Sequence, residues 1–236
     1  MKPRLLDLFC GAGGAAMGYH RAGFDVVGVD NRKQPNYPFR FVQDDALRLL
    51  STIHGDGEHV GWWDEGWFDA IHASPPCQAF TAYQRTGNVG DYPDLIAETR
   101  ELLRDIGAPY VIENVVGAPL EDPLMLCGSQ FDLDVQRHRL FETNWPLTAP
   151  WQGCRHKLWA PDRFPGGRSV ERTGSSRGLV RGTVEIGSWD IPLDVQKQAM
   201  GVDWDVTLEE LSEAIPPAYT EFIGQQLLAH VQEVAA

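Results

Sequence analysis

The sequence predicts an α/β protein whose sheet is doubly wound and mostly parallel. Short apolar segments alternate with helical segments over the first half of the chain, an order that favours parallel strands joined by helices. A glycine-rich turn joins the first strand to the first helix, and reactive or charged residues follow the ends of later strands. Open α/β sheets place their chemistry at these strand ends. The 236 residues suffice for a full hydrophobic core and a small second lobe.

The first predicted strand is the apolar run at residues 5–9. Gly11, Gly13 and Gly14 then predict a tight turn, and residues 15–22 predict the first helix. Apolar and β-branched runs predict two further strands, and a helical pattern follows them; these segments are residues 25–30, 40–43 and 46–52.

The fourth strand is predicted at residues 68–73, because this apolar run stops at two prolines, which cannot donate to a sheet ladder. Residues 54–67, rich in glycine, tryptophan and acidic side chains, are predicted to form an inserted loop. A helix is predicted over residues 93–106 with proline in its first turn. Residues 110–114 are predicted to be the fifth strand.

Composition changes near Pro146, and residues 150–190 have little periodicity. This region is either an irregular lobe or a disordered loop. Helices are predicted at residues 193–200 and 217–234. Four apolar residues of the last helix form a stripe that we expect to face the core: Ile223, Leu227, Val231 and Val234.

Charge and cysteine content restrict the class of protein. The net charge is −13, but residues 137–181 carry nine basic and three acidic side chains. This basic segment is either a footprint for a polyanion or a solvated loop balanced by acidic neighbours. The four cysteines have no disulfide spacing, no apolar stretch approaches a membrane span, and the N-terminus leaves no room for a signal peptide. We therefore expect free thiols in a reducing cytosol.

The glycine turn and two acidic strand ends suggest a nucleoside-type cofactor. Glycines at residues 11–14 let a ligand approach the backbone beside a helix N-terminus. Asp30 ends the second strand, where a carboxylate can bind a ribose diol, and Asp45 follows the third strand, where it can accept from an adenine amino group. The alternative is a tight turn with two capping or solvated aspartates.

Cys77 follows the fourth strand, where it is a candidate nucleophile. Glu113, at the end of the fifth strand, is a candidate acid or hydrogen-bond anchor. Arg137 and Arg139 add two forked donors. Taken one at a time, a cysteine is more often structural and a carboxylate at this position more often an exposed loop residue, and the two arginines could simply lie in solvent.

Together these residues carry a family resemblance. The chain resembles the DNA cytosine-5 methyltransferases, in particular the small ones of bacteriophages and restriction systems, over nearly all its length outside residues 150–190. The matching segments, each similar to one of the family's motifs, are Phe9-x-Gly11-x-Gly13, Asp30, Asp45, Pro76-Cys77-Gln78, Glu113-Asn114-Val115 and Arg137-x-Arg139. Ala199-Met200-Gly201 and Ile215-Pro216-Pro217 resemble parts of the last two motifs. The chain departs from the pattern at Val135 and at Leu211-Ser212-Glu213, where the family has glutamine and Gly-Asn-Ser.

The resemblance implies a Rossmann-like methyltransferase fold and a division of the chain. Residues 1–149 would form the catalytic and cofactor-binding domain, residues 150–190 a short, irregular target-recognition region, and residues 191–236 a segment that returns to the first domain. The implied partner is double-stranded DNA and the implied cofactor is S-adenosylmethionine. We expect a monomer in the cytoplasm of a bacterium or a phage-infected cell.

The resemblance also assigns residues. Those implied in catalysis are Cys77, Gln78, Glu113, Arg137 and Arg139. Those implied in cofactor binding are Leu8, Phe9, Cys10, Gly11, Ala12, Gly13, Gly14, Asp30, Asn31, Asp45, Ala46 and Pro75. Those expected to contact DNA are Gln84 and Arg85, in a loop at residues 79–92 that would close over a flipped base, and Arg163, Arg168, Arg172, Arg177 and Arg181.

Two other functions stay open at this point. One is the same chemistry on RNA, since a related branch modifies transfer RNA. The other is a nucleic-acid binding module with a degenerate active site. Cys154 and His156, with Cys127 or His138, fit no standard zinc spacing, so no metal site is predicted.

Overall fold

A seven-stranded sheet forms the centre of the molecule, in a computed structural model that describes residues 2–54, 68–80, 93–155 and 183–234. The strand order is β3-β2-β1-β4-β5-β7-β6. The first five positions are parallel, and β7 and β6 are antiparallel to their neighbours. The strands are β1 Arg4–Leu8, β2 Asp25–Asp30, β3 Arg40–Gln43, β4 Ala70–Ala73, β5 Tyr110–Asn114, β6 Leu124–Leu126 and β7 Arg139–Thr143.

Six α-helices accompany the sheet in the described ranges: α1 Gly14–Ala22, α2 Ala46–His54, α3 Ile96–Ile106, α4 Leu193–Met200, α5 Leu208–Glu213 and α6 Pro217–Val234. Two short 3₁₀ helices lie at Gln78–Phe80 and Gly128–Gln130. None of the helices in the described part of the chain is both long and apolar enough to cross a lipid bilayer.

Both faces of the sheet are covered, as a doubly wound fold requires. On one face α1 packs against α6, and the buried side chains there include Tyr19, Phe24, Tyr219 and Ile223. On the other face α2 and α3 cover a second cluster that includes Leu50 and Leu103. The C-terminal helix therefore returns to the first helix of the chain.

The predicted fold class is confirmed, and most predicted elements have the expected bounds. Strands β2, β3 and β5 and helices α4 and α6 agree at both ends. Strand β1 lies one residue earlier than predicted. The fourth strand is shorter, because Phe68 and Asp69 precede it. Of the predicted loop at residues 54–67, His54 ends α2 and the rest lies outside the described residues.

Three predictions about elements were wrong or incomplete. Pro93 lies outside α3, because the Asp94 carboxylate accepts from the Ile96 amide and the helix begins at Ile96. Val234 does not belong to the buried stripe, because it lies in the last turn of α6 and is 71% exposed. Strands β6 and β7 and helix α5 were not predicted, because their sequences are short and lack a clear period.

Helices α1 and α6 approach each other closely at Gly18 of α1. A Cβ atom there would lie 2.1 Å from Thr220 Oγ1 and 2.2 Å from the Pro217 carbonyl oxygen of α6. Thr220 Oγ1 also donates to the Ala15 carbonyl across the same contact, at 2.9 Å. Because one obstacle is backbone, the helices must separate to admit a methyl group.

We expect Gly18→Ala to lower the free energy of unfolding by about 1–3 kcal/mol, the usual cost of overpacking. Urea denaturation measures it. Gly153→Ala is the matched control, since nothing lies within 4 Å of its Cβ position. Equal midpoints for the two variants would show that α1 and α6 can separate without cost.

Candidate active site

Five parallel strands bring their carboxyl ends to one edge of the sheet. Leu8 of β1 is in register with Val29 of β2 and Ala73 of β4, and Ala73 is in register with Ile112 of β5. The segments that follow these strands are therefore neighbours, although they are far apart in sequence. The Ser74 amide donates to the Leu8 carbonyl oxygen at 3.1 Å, which ties the segment before Cys77 to the segment before the glycine turn.

The glycine turn has an unusual backbone that opens on one side. Phe9, Gly11 and Gly13 all have positive φ, of 55°, 47° and 87°. A non-glycine residue rarely adopts this conformation, and such strain clusters at functional sites. Nothing lies within 4 Å of a Cβ position at Gly11, whereas one at Gly13 would meet Pro38. Gly11 therefore leaves room for a ligand at the backbone, and Gly13 is needed for packing.

The two strand-end aspartates make backbone contacts. The Asp30 carboxylate accepts from the Gly11 amide at 3.1 Å and from the Arg32 amide at 2.9 Å. It thus fixes the glycine turn against the end of β2. Asp45 caps α2, because its Oδ1 accepts from the Arg48 amide at 2.8 Å.

The other residues assigned to cofactor binding surround this turn mainly through their backbone. Leu8 is fully buried, and the Cys10 amide donates to the Val29 carbonyl. A Cβ atom at Gly14 would lie 2.4 Å from the Ile215 carbonyl oxygen, so this glycine serves helix packing. Asn31 is exposed beside Asp30, and Ala46 is buried at the start of α2.

Trp204 is a contact of the turn that the sequence did not indicate. Its indole Nε1 donates to the Ala12 carbonyl oxygen at 2.9 Å, across 192 positions of sequence. The cluster of buried residues that contains Ala12 also includes Met200 and Leu211 of α4 and α5. The C-terminal segment therefore supports the glycine turn directly.

Cys77 is partly exposed and lies in a loop that is anchored to β5. The Asn114 side chain of β5 donates to the Pro75 carbonyl oxygen at 2.9 Å, and Asn114 Oδ1 accepts from the Val115 amide. Pro75 therefore contributes by anchoring the loop to β5. Burial raises the pKa of the Cys77 thiol, and the nearby Arg139 guanidinium opposes that shift. Gln78 follows as the first residue of the 3₁₀ helix.

Glu113 forms a buried ion pair beside Cys77. Its Oε1 lies 3.1 Å from Arg139 Nε, with both side chains largely buried. Burial raises the pKa of the Glu113 carboxyl group, while Arg139 and a hydrogen bond from Ser74 oppose the shift. A carboxyl group in this setting can hold or release a proton near neutral pH more readily than an exposed one.

A buried histidine continues this network into the core. His72 Nε2 lies 2.9 Å from Ser74 Oγ, and His72 Nδ1 lies 2.9 Å from the Tyr19 hydroxyl. Burial lowers the pKa of His72 to about 3, so the ring is neutral at physiological pH. Ser74 thus connects Glu113 to a neutral hydrogen-bonded pair that was not identified from the sequence.

The Arg137 side chain hydrogen-bonds to the backbone of the segment before α6. Its Nε donates to the Ala214 carbonyl at 2.9 Å and its Nη2 to the Ser212 carbonyl at 2.5 Å. The Arg137 carbonyl in turn accepts from the Tyr219 hydroxyl at 2.7 Å. Burial, with Arg139 beside it, lowers the pKa of Arg137 to about 9. These contacts fix residues 212–214, in the segment where the chain departs from the family's motif.

None of the seven residues expected to contact DNA belongs to the described part of the chain. Gln84, Arg85, Arg163, Arg168, Arg172, Arg177 and Arg181 lie outside the described residues. The two described segments next to residues 156–182 carry Trp151 and Trp189, each 91% exposed.

Asp7 is a fully buried carboxyl group of β1 in the same region. Its Oδ2 accepts from the Tyr37 hydroxyl at 3.4 Å, and its Oδ1 has no hydrogen-bond partner among the described residues. Burial raises the pKa of Asp7 well above its usual range; the Tyr37 hydrogen bond opposes this, and Asp30 and Glu113 add to it. The folded protein therefore binds a proton here that the unfolded chain releases at about pH 4.

Because the pKa of Asp7 is raised in the folded protein, this carboxyl group lowers the stability of the protein as the pH rises. The stability from the protonated form is complete below about pH 4 and is lost as pH rises towards the folded-state pKa. We expect Asp7→Asn, which does not titrate, to flatten the pH dependence of stability and to be more stable relative to wild type at pH 8 than at pH 4. Urea midpoints across this range measure it. Asp25→Asn, at an exposed position of β2, controls for the lost charge. An unchanged slope in Asp7→Asn would contradict the assignment.

Three potential metal ligands, one of them next to Arg139 in sequence, lie close together. Cys127, His138 and Cys154 bring their ligand atoms within 4.8 Å of one another, although their spacing fits no standard zinc pattern. All four cysteines of the chain are described, and none of them forms a disulfide in this structure.

Comparison with known proteins extends these observations. A family model described as C-5 cytosine-specific DNA methylase matches residues 3–121, half of the chain. The Type II methylase M.HgiDII of Herpetosiphon aurantiacus is 29% identical over 116 residues, which cover 47% of this chain and 32% of that protein. Type II methyltransferase M.AquIA of Picosynechococcus sp. is 29% identical over 127 residues, half of each chain. The chain thus spans about a third to a half of the length of these curated relatives.

Solved structures match over almost the whole chain. A protein described as a DNA modification methyltransferase encoded within an E. coli prophage has a TM-score of 0.63 and 16% identity, covering 98% of this chain and 99% of that one. The Dnmt2 methyltransferase of S. pombe has a TM-score of 0.55 and 12% identity, with the same coverage. At these identities the likeness shows a shared fold.

Proposed function

The chain belongs to the C-5 cytosine-specific DNA methylase family, and on that premise we propose that it transfers a methyl group from S-adenosylmethionine to carbon 5 of cytosine in DNA. Its Rossmann-like sheet is the fold of S-adenosylmethionine-dependent methyltransferases. The observation that carries the proposal is the grouping of the Cys77 thiol, the Glu113–Arg139 pair and the open glycine turn at one edge of that sheet.

Cys77 is the nucleophile in this proposal. Carbon 5 of cytosine is a poor nucleophile, and addition of the sulfur to carbon 6 makes carbon 5 electron-rich. The sulfur supplies the electron pair of the new bond, and the ring's double-bond electrons move towards carbon 5. After carbon 5 takes the methyl group, its proton passes to water, and the electron pair of the broken carbon–hydrogen bond restores the ring double bond as the thiolate leaves. Cys77 is partly exposed, so a nucleobase can approach it.

Glu113 and Arg139 bind the polar edge of the ring. As the thiolate adds, negative charge gathers at ring nitrogen 3 and the exocyclic amine. A protonated Glu113 carboxyl donates to that nitrogen, and its raised pKa favours the protonated form. The Arg139 guanidinium binds the ring oxygen while it remains paired with Glu113, and stabilises charge in a partly buried setting.

Four residues position these groups. Asn114 holds Pro75 and therefore the Cys77 loop, and Ser74 orients Glu113. Arg137 braces β7 against the segment before α6 through two backbone carbonyls. Gln78 begins the turn that follows the nucleophile. We assign Arg137 this positioning role and not contact with the reacting ring.

The glycine turn and the strand ends beside it are the proposed cofactor site. The open backbone at Gly11 fits an approaching ligand, with Asp30 and Asp45 at the next two strand ends. S-Adenosylmethionine would supply an electrophilic methyl group on a sulfonium at this site. Asp45 accepts a backbone amide through Oδ1 and would bind the nucleoside with its other oxygen. Both oxygens of Asp30 already accept a backbone amide, so Asp30 would accept a ribose hydroxyl through a remaining lone pair.

Duplex DNA hides its bases, so the target cytosine must leave the stack. Flipping a base costs a few kcal/mol of stacking and pairing. The loop after Cys77 and the basic arginines of residues 150–190 are the proposed contacts for the opened duplex. The basic excess of residues 137–181 against a chain of net charge −13 supports this assignment.

Mass spectrometry of nucleosides tests the proposal. Purified protein is incubated with methyl-labelled S-adenosylmethionine and unmethylated DNA of random sequence, and the DNA is digested. We expect labelled 5-methyldeoxycytidine. A parallel reaction contains transfer RNA. Label in RNA alone, label on the exocyclic amine of cytosine or on adenine, or no label on either nucleic acid would overturn the proposal.

A further inference from the structure

A cluster of soft metal ligands lies outside the proposed catalytic groups. Cys127 follows β6, His138 directly precedes β7, and Cys154 lies beyond β7 at the last described residues before position 156. We refer to these three residues as the Cys127 cluster. His138 Nε2 lies 3.4 Å from Cys154 Sγ, and the ligand atoms of all three residues lie within 4.8 Å of one another.

The spacing of these atoms suits a tetrahedral ion. Zinc binds sulfur at about 2.3 Å and nitrogen at about 2.0 Å, so two ligands of one ion lie about 3.5–3.8 Å apart. The His138–Cys154 separation of 3.4 Å is close to this range, and no two of the three ligand atoms are more than 4.8 Å apart. Two sulfurs and one imidazole also favour zinc, because magnesium and calcium prefer oxygen ligands.

The surroundings are already arranged around these ligands. Cys127 Sγ donates to the Gln136 carbonyl oxygen at 2.9 Å and lies 3.2 Å from Ser129 Oγ. Ser129 Oγ also lies 3.7 Å from Cys154 Sγ and accepts from the Arg155 amide at 2.9 Å. One hydroxyl thus lies between the two thiols and is held by the backbone. Such contacts orient ligands before a metal binds.

We propose that Cys127, His138 and Cys154 bind one zinc ion, with Ser129 beside them and the fourth position taken by water. Binding replaces thiol protons by the metal, so two protons are released to solvent as the thiolates form, and the imidazole binds in its neutral state. The site does not depend on the methyl transfer proposed above, because none of its ligands has a role in that reaction.

The ion would connect three parts of the chain that are distant in sequence. It would join the end of β6, the residue between Arg137 and Arg139, and the segment that leads into residues 156–182. A polar contact already joins two of these parts, because Gln130 Nε2 donates to the Gln152 carbonyl oxygen at 3.0 Å. The bound zinc would fix the segment that contains Cys154 against β6 and β7.

Metal analysis of the untagged protein is the first test. After purification without chelators and with added zinc followed by dialysis, we expect about one zinc per chain. Cys127→Ser, Cys154→Ser and His138→Ala should each lower the bound zinc at least tenfold. Cys77→Ser, which removes a thiol outside the cluster, is the matched control and should retain it. Wild-type protein without zinc, or variants that keep it, would overturn the site.

Cobalt substitution tests the ligands in the wild-type fold, in case a variant fails to fold. Cobalt bound to two thiolates should give intense sulfur-to-metal charge-transfer bands together with the visible bands of a four-coordinate ion. These charge-transfer bands should be almost absent in either cysteine variant, because each binds little metal, and should stay unchanged in Cys77→Ser. Octahedral cobalt bands in the wild type would contradict the proposal. So would a thiol count two short of four in protein prepared without reductant, because Cys127 and Cys154 would then form a disulfide.

Discussion

Replacing Cys77 by serine is expected to abolish methyl transfer, with a loss of at least about a thousandfold in rate, because the nucleophile of a covalent mechanism has no substitute. The serine hydroxyl has a far higher pKa than the thiol, so it is a much weaker nucleophile at neutral pH. The Glu113–Arg139 pair and the Asn114–Pro75 contact do not involve the sulfur, so the fold should be preserved.

Covalent trapping on modified DNA distinguishes a loss of catalysis in Cys77→Ser from a loss of DNA binding. Duplex DNA with 5-fluorocytosine at target positions has no carbon 5 proton to lose, so the enzyme stays attached after methyl transfer. We expect a complex stable to denaturing electrophoresis for the wild type, and none for Cys77→Ser or for DNA with ordinary cytosine. Both proteins should bind DNA with similar affinity at the same salt concentration. An adduct formed by Cys77→Ser would remove Cys77 from the mechanism.

Replacing Arg100 by methionine is expected to cost about 3–5 kcal/mol of folding stability, since it leaves a buried carboxylate without its partner. Arg100 of α3 donates from Nε and Nη2 to the two oxygens of Glu142 in β7, at 2.7 and 2.8 Å. Glu142 is 3% exposed. The Glu121 amide also donates to Glu142, and Arg100 donates to the Pro119 carbonyl. The pair therefore holds α3, β7 and the segment between β5 and β6 together.

Two further variants distinguish this account from a general effect of losing an arginine. Arg104→Met, on the same helix as Arg100, removes an exposed ion pair with Glu121 and should cost far less stability than Arg100→Met. The double variant Arg100→Met, Glu142→Met removes both charges and should recover most of the lost stability. Urea denaturation followed by tryptophan fluorescence measures all three. If the double variant is as unstable as Arg100→Met, the ion pair is not the cause.

Much of the fold follows from local patterns. The alternation of apolar strands and helices, the glycine turn and the two prolines before Cys77 act within a few residues, so their effects can be predicted without the rest of the chain. The same patterns order Asp30, Asp45, Cys77 and Glu113 at successive strand ends, because parallel strands direct their carboxyl ends to one edge. The position of the candidate site was therefore predictable.

Local patterns were insufficient where an element depends on its neighbours. Strands β6 and β7 are short and gain their hydrogen bonds from β5 and from each other, so their sequences have no strong period of their own. The resemblance implied Arg137 in catalysis, and the structure shows that its side chain donates to the backbone carbonyls of residues 212 and 214. Trp204 reaches the Ala12 carbonyl from the far end of the chain.

The sequence alone determined the class of fold, the family and the order of the candidate catalytic residues, because these depend on short motifs and on the connection of each strand to the next. The tertiary structure decided which side chains meet. The Cys127 cluster is the clearest case: its members are separated by 11 and 16 residues, a spacing that fits no standard zinc pattern, and they approach only because β6 and β7 pair. Contacts between distant segments depend on the packing of the whole chain, which no local pattern specifies.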